Sequence, residues 1–153
     1  MFKINMEELV PLIKEVIDSG AVFRLYPRGE SMLPTICQGE DSVDLAKPSE
    51  LKKYDIVLYQ RECGKYVLHR IVNIRGDLCD MCGDNQLEIE KDIPASSIIA
   101  FVPYLYKGEK KIDTSDKGYL NKIKILYLKK SGHRLISKIK KLIYPAYRLI
   151  CKK

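Results

Sequence analysis

The sequence predicts a mainly β fold: a compact, barrel-like β domain with an amphipathic helix before it and a basic helical tail behind it. Three observations predict this. Apolar residues recur at helical spacing near the two ends of the chain. From Ala21 to Pro103 the texture changes to short β-rich runs punctuated by Gly, Pro, Asn or Asp. Charge changes sign along the chain, the first 117 residues carrying sixteen basic against twenty acidic residues and the stretch from Gly118 to Lys153 eleven basic and no acidic ones. The expected divisions are a helix over 1–20, a β domain over 21–106 and a tail over 107–153.

At 153 residues the chain has the length of one domain and can bury a substantial core. Its 46% hydrophobic and 31% charged residues lie in the globular range and exclude wholesale disorder. The five cysteines, Cys37, Cys63, Cys79, Cys82 and Cys151, are odd in number and lack the regular spacing of a secreted disulfide scaffold. The expected setting is therefore reducing, in the cytoplasm or at its membrane face. No run approaches the ~20 apolar residues of a membrane-spanning helix, and Glu8, Lys14, Glu15 and Asp18 interrupt the opening segment. Neither a transmembrane anchor nor a cleavable export signal is expected.

In the first element Met6, Leu9, Val10, Leu12, Ile13, Val16 and Ile17 keep helical spacing, and Ser19-Gly20 closes the helix. Strands are predicted over Ala21–Tyr26, Ser42–Leu45, Asp55–Tyr59, Tyr66–Ile74, Leu78–Met81 and Ser97–Val102. Short strands at this spacing indicate a small barrel or two packed sheets. Past Tyr104 the pattern is helical again, with Leu135, Ile136, Ile139, Leu142 and Ile143 in one stripe and Lys138, Lys140 and Lys141 elsewhere. Pro145 should end or kink that helix.

The chemistry concentrates in the β segment. Arg28-Gly29-Glu30-Ser31-Met32-Leu33-Pro34-Thr35 follows a predicted strand and places Ser31 on a turn, where a hydroxyl projects into a cleft and backbone N–H groups can face an oxyanion. Such a hydroxyl needs a base, and the chain has two histidines. Alternation along Tyr66–Val72 puts His69 on a face with Val67 and Ile71, a setting that lowers the imidazole pKa and keeps it neutral. His133, within the basic tail, has no such setting. A carboxylate on the second ring nitrogen would orient His69; Asp84 is the first candidate, with Glu90 or Asp92 as substitutes.

Four segments in order, Gly29–Thr35, Lys52-Lys53-Tyr54-Asp55-Ile56-Val57, His69-Arg70-Ile71-Val72 and Gly83-Asp84-Asn85, resemble the successive boxes of signal peptidases, within the superfamily that includes LexA-like serine peptidases. Phe101-Val102-Pro103-Tyr104 is similar to the segment that follows in the endoplasmic-reticulum type. The resemblance covers Val22 to Tyr104. Bacterial type I enzymes and LexA-like proteins carry lysine where this chain has His69, whereas the endoplasmic-reticulum, spore-former and archaeal enzymes carry histidine. The resemblance implies a β peptidase domain, Ser31 as nucleophile and His69 as base, without cofactor or metal. It also implies a second acid a few residues beyond Gly-Asp-Asn, where Glu90 is the nearest match and Asp92 follows. Gly29 stands where signal peptidases commonly have a serine lining the oxyanion hole and is closer to the LexA style, so the Ser31 N–H carries more of that role; Gly29, Met32 and Pro34 are the candidate oxyanion and substrate-binding positions. Unlike signal peptidases, the chain shows no anchor, and thirty residues before Ser31 are too few for the DNA-binding domain of a self-cleaving repressor.

The implied function is a serine endopeptidase that removes a leader or signal-like segment from a peptide or protein with small residues before the scissile bond. The alternative is a non-catalytic module that holds an extended peptide by strand addition while the basic tail docks it to a membrane or nucleic acid. Tyr127, Tyr144 and Tyr147 on a basic amphipathic helix suit an anionic membrane surface. Nucleic acid ranks below it because no stacking platform is recognisable. Commonplace readings exist for several residues: Ser31 as a turn serine, His69 as a satisfied sheet histidine, Asp84 as a turn former. Cys79-Asp-Met-Cys82 reads as two strand-end cysteines, since a second metal-binding pair is missing.

Overall fold

The computed structural model describes residues 5–150, with side chains described as far as residue 137. Helix α1 (Met6–Asp18) starts at Asn5, whose side chain accepts from the Glu7 N–H, and buries Val10, Ile13 and Ile17. Each such side chain taken from water stabilises the fold by about 1.5–3 kcal/mol. Eight strands follow: β1 (Phe23–Leu25), β2 (Asp41–Ala46), β3 (Ile56–Gln60), β4 (Tyr66–Arg75), β5 (Leu78–Cys82), β6 (Glu90–Pro94), β7 (Ile98–Lys107) and β8 (Lys110–Asp113). They form one antiparallel sheet in the order β1-β2-β7-β3-β4-β5-β6, with β8 added to β7. β1 and β6 remain its two ends, so the expected barrel is an open sheet. The mainly β class, the N-terminal helix and the C-terminal helix are as the sequence predicts.

Alternation sorts the strand residues into two cores. Ile13 and Ile17 of α1 pack with Val43, Leu45, Ile56, Leu58, Ala100, Val102 and Leu105 on one side. Val57, Tyr59, Ile71, Cys79 and Met81 form the cluster on the other. Met32 and Ile36 also enter the first core, and the Ile36 N–H donates to the Met32 carbonyl at 2.9 Å. The serine turn is thereby nailed into the core at both ends of a single helical turn. Cys79 and Cys82, three residues apart on β5, face different clusters, and with Cys37 and Cys63 they are free thiols. Cys151 lies outside the described residues.

Two strands escape the sequence pattern. β6 (Glu-Lys-Asp-Ile-Pro) and β8 (Lys-Lys-Ile-Asp) bury little of their side chains and are fixed by backbone pairing along one edge, which leaves no alternation to detect. The β body consequently runs to Asp113 rather than 106. Helix α2 (Lys117–Ile150) begins where the Asp116 carboxylate accepts the Tyr119 N–H at 2.9 Å. It continues past Pro145, which removes one backbone donor without ending so long a helix. The side chains of Lys138, Ile139, Lys140, Lys141, Leu142, Ile143, Tyr144 and Tyr147 lie outside the described residues.

Candidate active site

Ser31 stands on the turn after β1, half-buried, as the sequence predicts. Gly29, two residues earlier, has φ +100°, backbone that only glycine adopts without strain, and donates its N–H to the Gln38 side chain. That donor is spent within the turn, so Gly29 shapes the turn and does not supply an oxyanion contact. No backbone acceptor among the described residues takes the Ser31 N–H. The turn is gripped from across the molecule: the Asn85 N–H donates to the Ser31 carbonyl at 2.8 Å, and Asn85 Nδ2 to the Glu30 carbonyl at 3.2 Å. A Cβ on Gly83 would lie 2.5 Å from the Ser31 carbonyl oxygen. Gly83-Asp84-Asn85 therefore acts as a backbone clamp on the Ser31 turn, and its first residue must be glycine.

His69 sits on β4 opposite Val57 of β3, 1% exposed. Its Nδ1 lies 3.1 Å from Glu90 Oε1 and 3.3 Å from the Tyr59 hydroxyl. With Nδ1–H donating to the carboxylate, Nε2 is left as the acceptor nitrogen. Burial drives the His69 pKa below its ordinary 6.5, while Glu90 opposes the shift. Glu90 is itself clamped by Arg61, Nε to Oε2 at 2.7 Å and Nη2 to Oε1 at 2.5 Å. Burial alone would raise the Glu90 pKa, but the Arg61 and Tyr59 hydrogen bonds outweigh it and hold the carboxyl below its usual value. Burial and Glu90 push the Tyr59 phenol up, so it stays a neutral hydroxyl.

Ser31 and His69 line the same cleft, about 330 Å³ in volume, together with Pro27, Arg28, Gly29, Arg61, Gln86 and the run Lys65–Leu68. Beyond Arg70, β4 pairs with β5, but Tyr66–His69 pair with β3 alone, so this stretch presents an unpaired backbone edge. The cleft is contiguous, through Pro27, Arg28, Tyr66 and Leu68, with an apolar groove of about 280 Å³ that adds Met6 and Leu9 of α1.

Several expected roles are corrected. Asp84 does not orient His69: its carboxylate is held by Arg70, with Nε to Oδ1 at 2.9 Å and Nη2 to Oδ2 at 2.6 Å, by the Thr35 hydroxyl and by the Tyr127 hydroxyl at 2.8 Å. Four donors leave it no capacity for an imidazole. Asp92 pairs with Arg75 at 2.7 Å instead, because β6 is irregular between Glu90 and Ile93, with Asp92 at φ +59°, and the simple alternation that would put it on the Glu90 face is broken. Met32 touches the cleft but its side chain is core, 4% exposed. Pro34, preceded by a cis peptide bond, is exposed and does not line the cleft. His133 is exposed on α2. Tyr59 and Arg61 were not expected. Tyr59 shares a face with His69 and sits diagonally across the β3–β4 ladder, where Val57 pairs His69 and Tyr59 pairs Val67. Strand parity alone would have identified it; nothing local marks Arg61.

The substitution Glu90→Gln is expected to lower turnover at least tenfold, because the amide no longer fixes the imidazole tautomer. It should also move the acid limb of the kcat/KM–pH profile downward. In the parent protein that limb is expected below the ordinary histidine range, since burial already lowers the His69 pKa. Removing the Glu90 charge takes away an interaction that favours imidazolium, so the pKa falls further. A limb displaced upward would contradict the pairing.

Compared with protein-family models, curated proteins and solved structures, the chain finds no match.

Proposed function

We propose that this chain is a serine endopeptidase of the signal-peptidase and LexA-like type, acting on an extended peptide through Ser31, His69 and Glu90. The observation that carries the reading is the buried His69, its pKa lowered and its Nδ1 engaged by Glu90, in one cleft with a turn serine. The unpaired edge at Tyr66–His69 suits a peptide laid down as an added strand. Ser31 Oγ attacks the scissile carbonyl carbon as His69 Nε2 takes its proton, and the Ser31 N–H faces the oxyanion. Collapse breaks the C–N bond, and the imidazolium returns its proton to the leaving amine. Water, deprotonated by the same nitrogen, then hydrolyses the ester. The resemblance adds small residues before the cleaved bond.

The test is labelling with an electrophilic serine acylator, read by intact mass, on the parent protein, Ser31→Ala and His69→Ala. One adduct in the parent protein alone is the expected result. An unlabelled parent protein that binds peptides and returns them intact would instead make it the strand-adding module without turnover.

A further inference from the structure

Helix α2 presents two faces of different chemistry. Ile123, Tyr127 and Lys130 are buried against the β body, where Tyr127 donates to Asp84 and Lys130 Nζ to the Gly83 carbonyl at 2.8 Å. On the same helix Ile125, Leu128, Leu135 and Ile136 are 54%, 71%, 61% and 52% exposed. At 100° per residue these four fall within about 100° of arc, on the side away from Ile123, Tyr127 and Lys130. Four large aliphatic side chains aligned in water are costly unless something covers them. Lys122, Lys124 and Lys129, exposed, lie along both borders of the stripe, and none pairs with an acid among the described residues. The tail from Gly118 onward holds eleven basic and no acidic residues.

We infer that this outward face of α2 docks the protein on an anionic lipid bilayer, with Ile125, Leu128, Leu135 and Ile136 entering the headgroup–acyl boundary and the lysines meeting lipid phosphates. Charge chooses the occupant: a second copy of the chain would bring two strongly basic faces together, whereas an anionic bilayer offers apolar depth beneath negative charge. No helix among the described residues is long and apolar enough to cross a membrane, so α2 lies along the surface. The inner face of α2 stays on the β body in this arrangement, so docking carries the Ser31 cleft to the bilayer as one piece with the helix. This inference does not depend on the peptidase reading.

The experiment is co-sedimentation of the full chain with vesicles of phosphatidylcholine, with or without roughly one-third phosphatidylglycerol. Binding is expected only to the anionic vesicles, falling at least tenfold between about 0.1 M and about 0.5 M salt. Leu128→Asp/Ile136→Asp should weaken it at least tenfold while leaving the melting temperature unchanged, because both side chains are exposed. Lys122→Gln/Lys124→Gln/Lys129→Gln should weaken it and shallow its salt dependence. The inference is overturned by absence of vesicle binding, by equal binding in the Leu128/Ile136 variant, by a dimer that this variant dissolves, or by salt-sensitive binding to duplex nucleic acid in place of vesicles.

Discussion

Ser31→Ala and His69→Ala are each expected to lower kcat on a cleavable peptide by about 10⁴-fold, with KM changed by no more than about threefold. The size follows from the division of labour in the cleft. Without Oγ no acyl-enzyme forms, and without the imidazole a hydroxyl of ordinary basicity must lose its proton unaided. In the proposed reading the substrate is held mainly by the β4 backbone edge at Tyr66–His69 and the apolar groove, which neither substitution removes. The two side chains act on one proton, so the double variant should be no slower than either single one. Steady-state kinetics on an alanine-containing peptide pool, with products identified by mass, decide the matter. Additive losses would mean that the serine and histidine serve separate tasks; undiminished cleavage in Ser31→Ala would remove the nucleophile from the mechanism altogether.

Much of this site was legible in the sequence because the chemistry follows strand parity. His69 shares its face with Val67 and Ile71, and that face packs into one of the two cores. Ser31 stands on the predicted turn because Gly29 before it and the buried pair Met32 and Ile36 after it leave the chain little choice. The choice of acid was harder. Asp84 and Glu90 both follow β5, but proximity in sequence says nothing about which cation claims a carboxylate. Arg70, one residue from His69, points to the opposite face of β4 and takes Asp84 with it. Glu90 enters β6 opposite Met81 and reaches the His69 side, where Arg61 from the β3–β4 turn steadies it. The open sheet was likewise illegible, because closure depends on the pairing of its end strands and β6 carries no apolar signal. In the tail, helical periodicity gave the helix but not its division into a docked and an exposed face. The docked face is chosen by the clamp loop, through Tyr127 and Lys130.

The pair behind that clamp sets the largest expected effect on stability. Arg70 and Asp84 have fully buried side chains joined by two hydrogen bonds. Arg70 also donates to the Tyr54 carbonyl at 2.7 Å and the Tyr119 hydroxyl at 3.0 Å. Asp84→Ala is expected to cost about 3–5 kcal/mol, because it strands a guanidinium in the interior and frees Thr35 and Tyr127 at once. For a chain of this length that is a fall of roughly 10 °C in Tm. Replacing both partners with apolar side chains of similar volume, as in Arg70→Met/Asp84→Leu, should recover a large part of the loss, since no charge is then left unpaired. The pH dependence has a definite sign. Burial would raise the Asp84 pKa, but Arg70 and the hydroxyl donors bring it below the ordinary 3.8. The stabilisation is therefore complete above the unfolded carboxyl value and disappears only as pH falls through the lower folded value. Thermal melts of the two variants and the parent protein, taken at neutral pH and again near pH 3, measure both effects. A single variant as stable as its parent would show that the pair is not what holds Gly83–Asn85 against the serine turn.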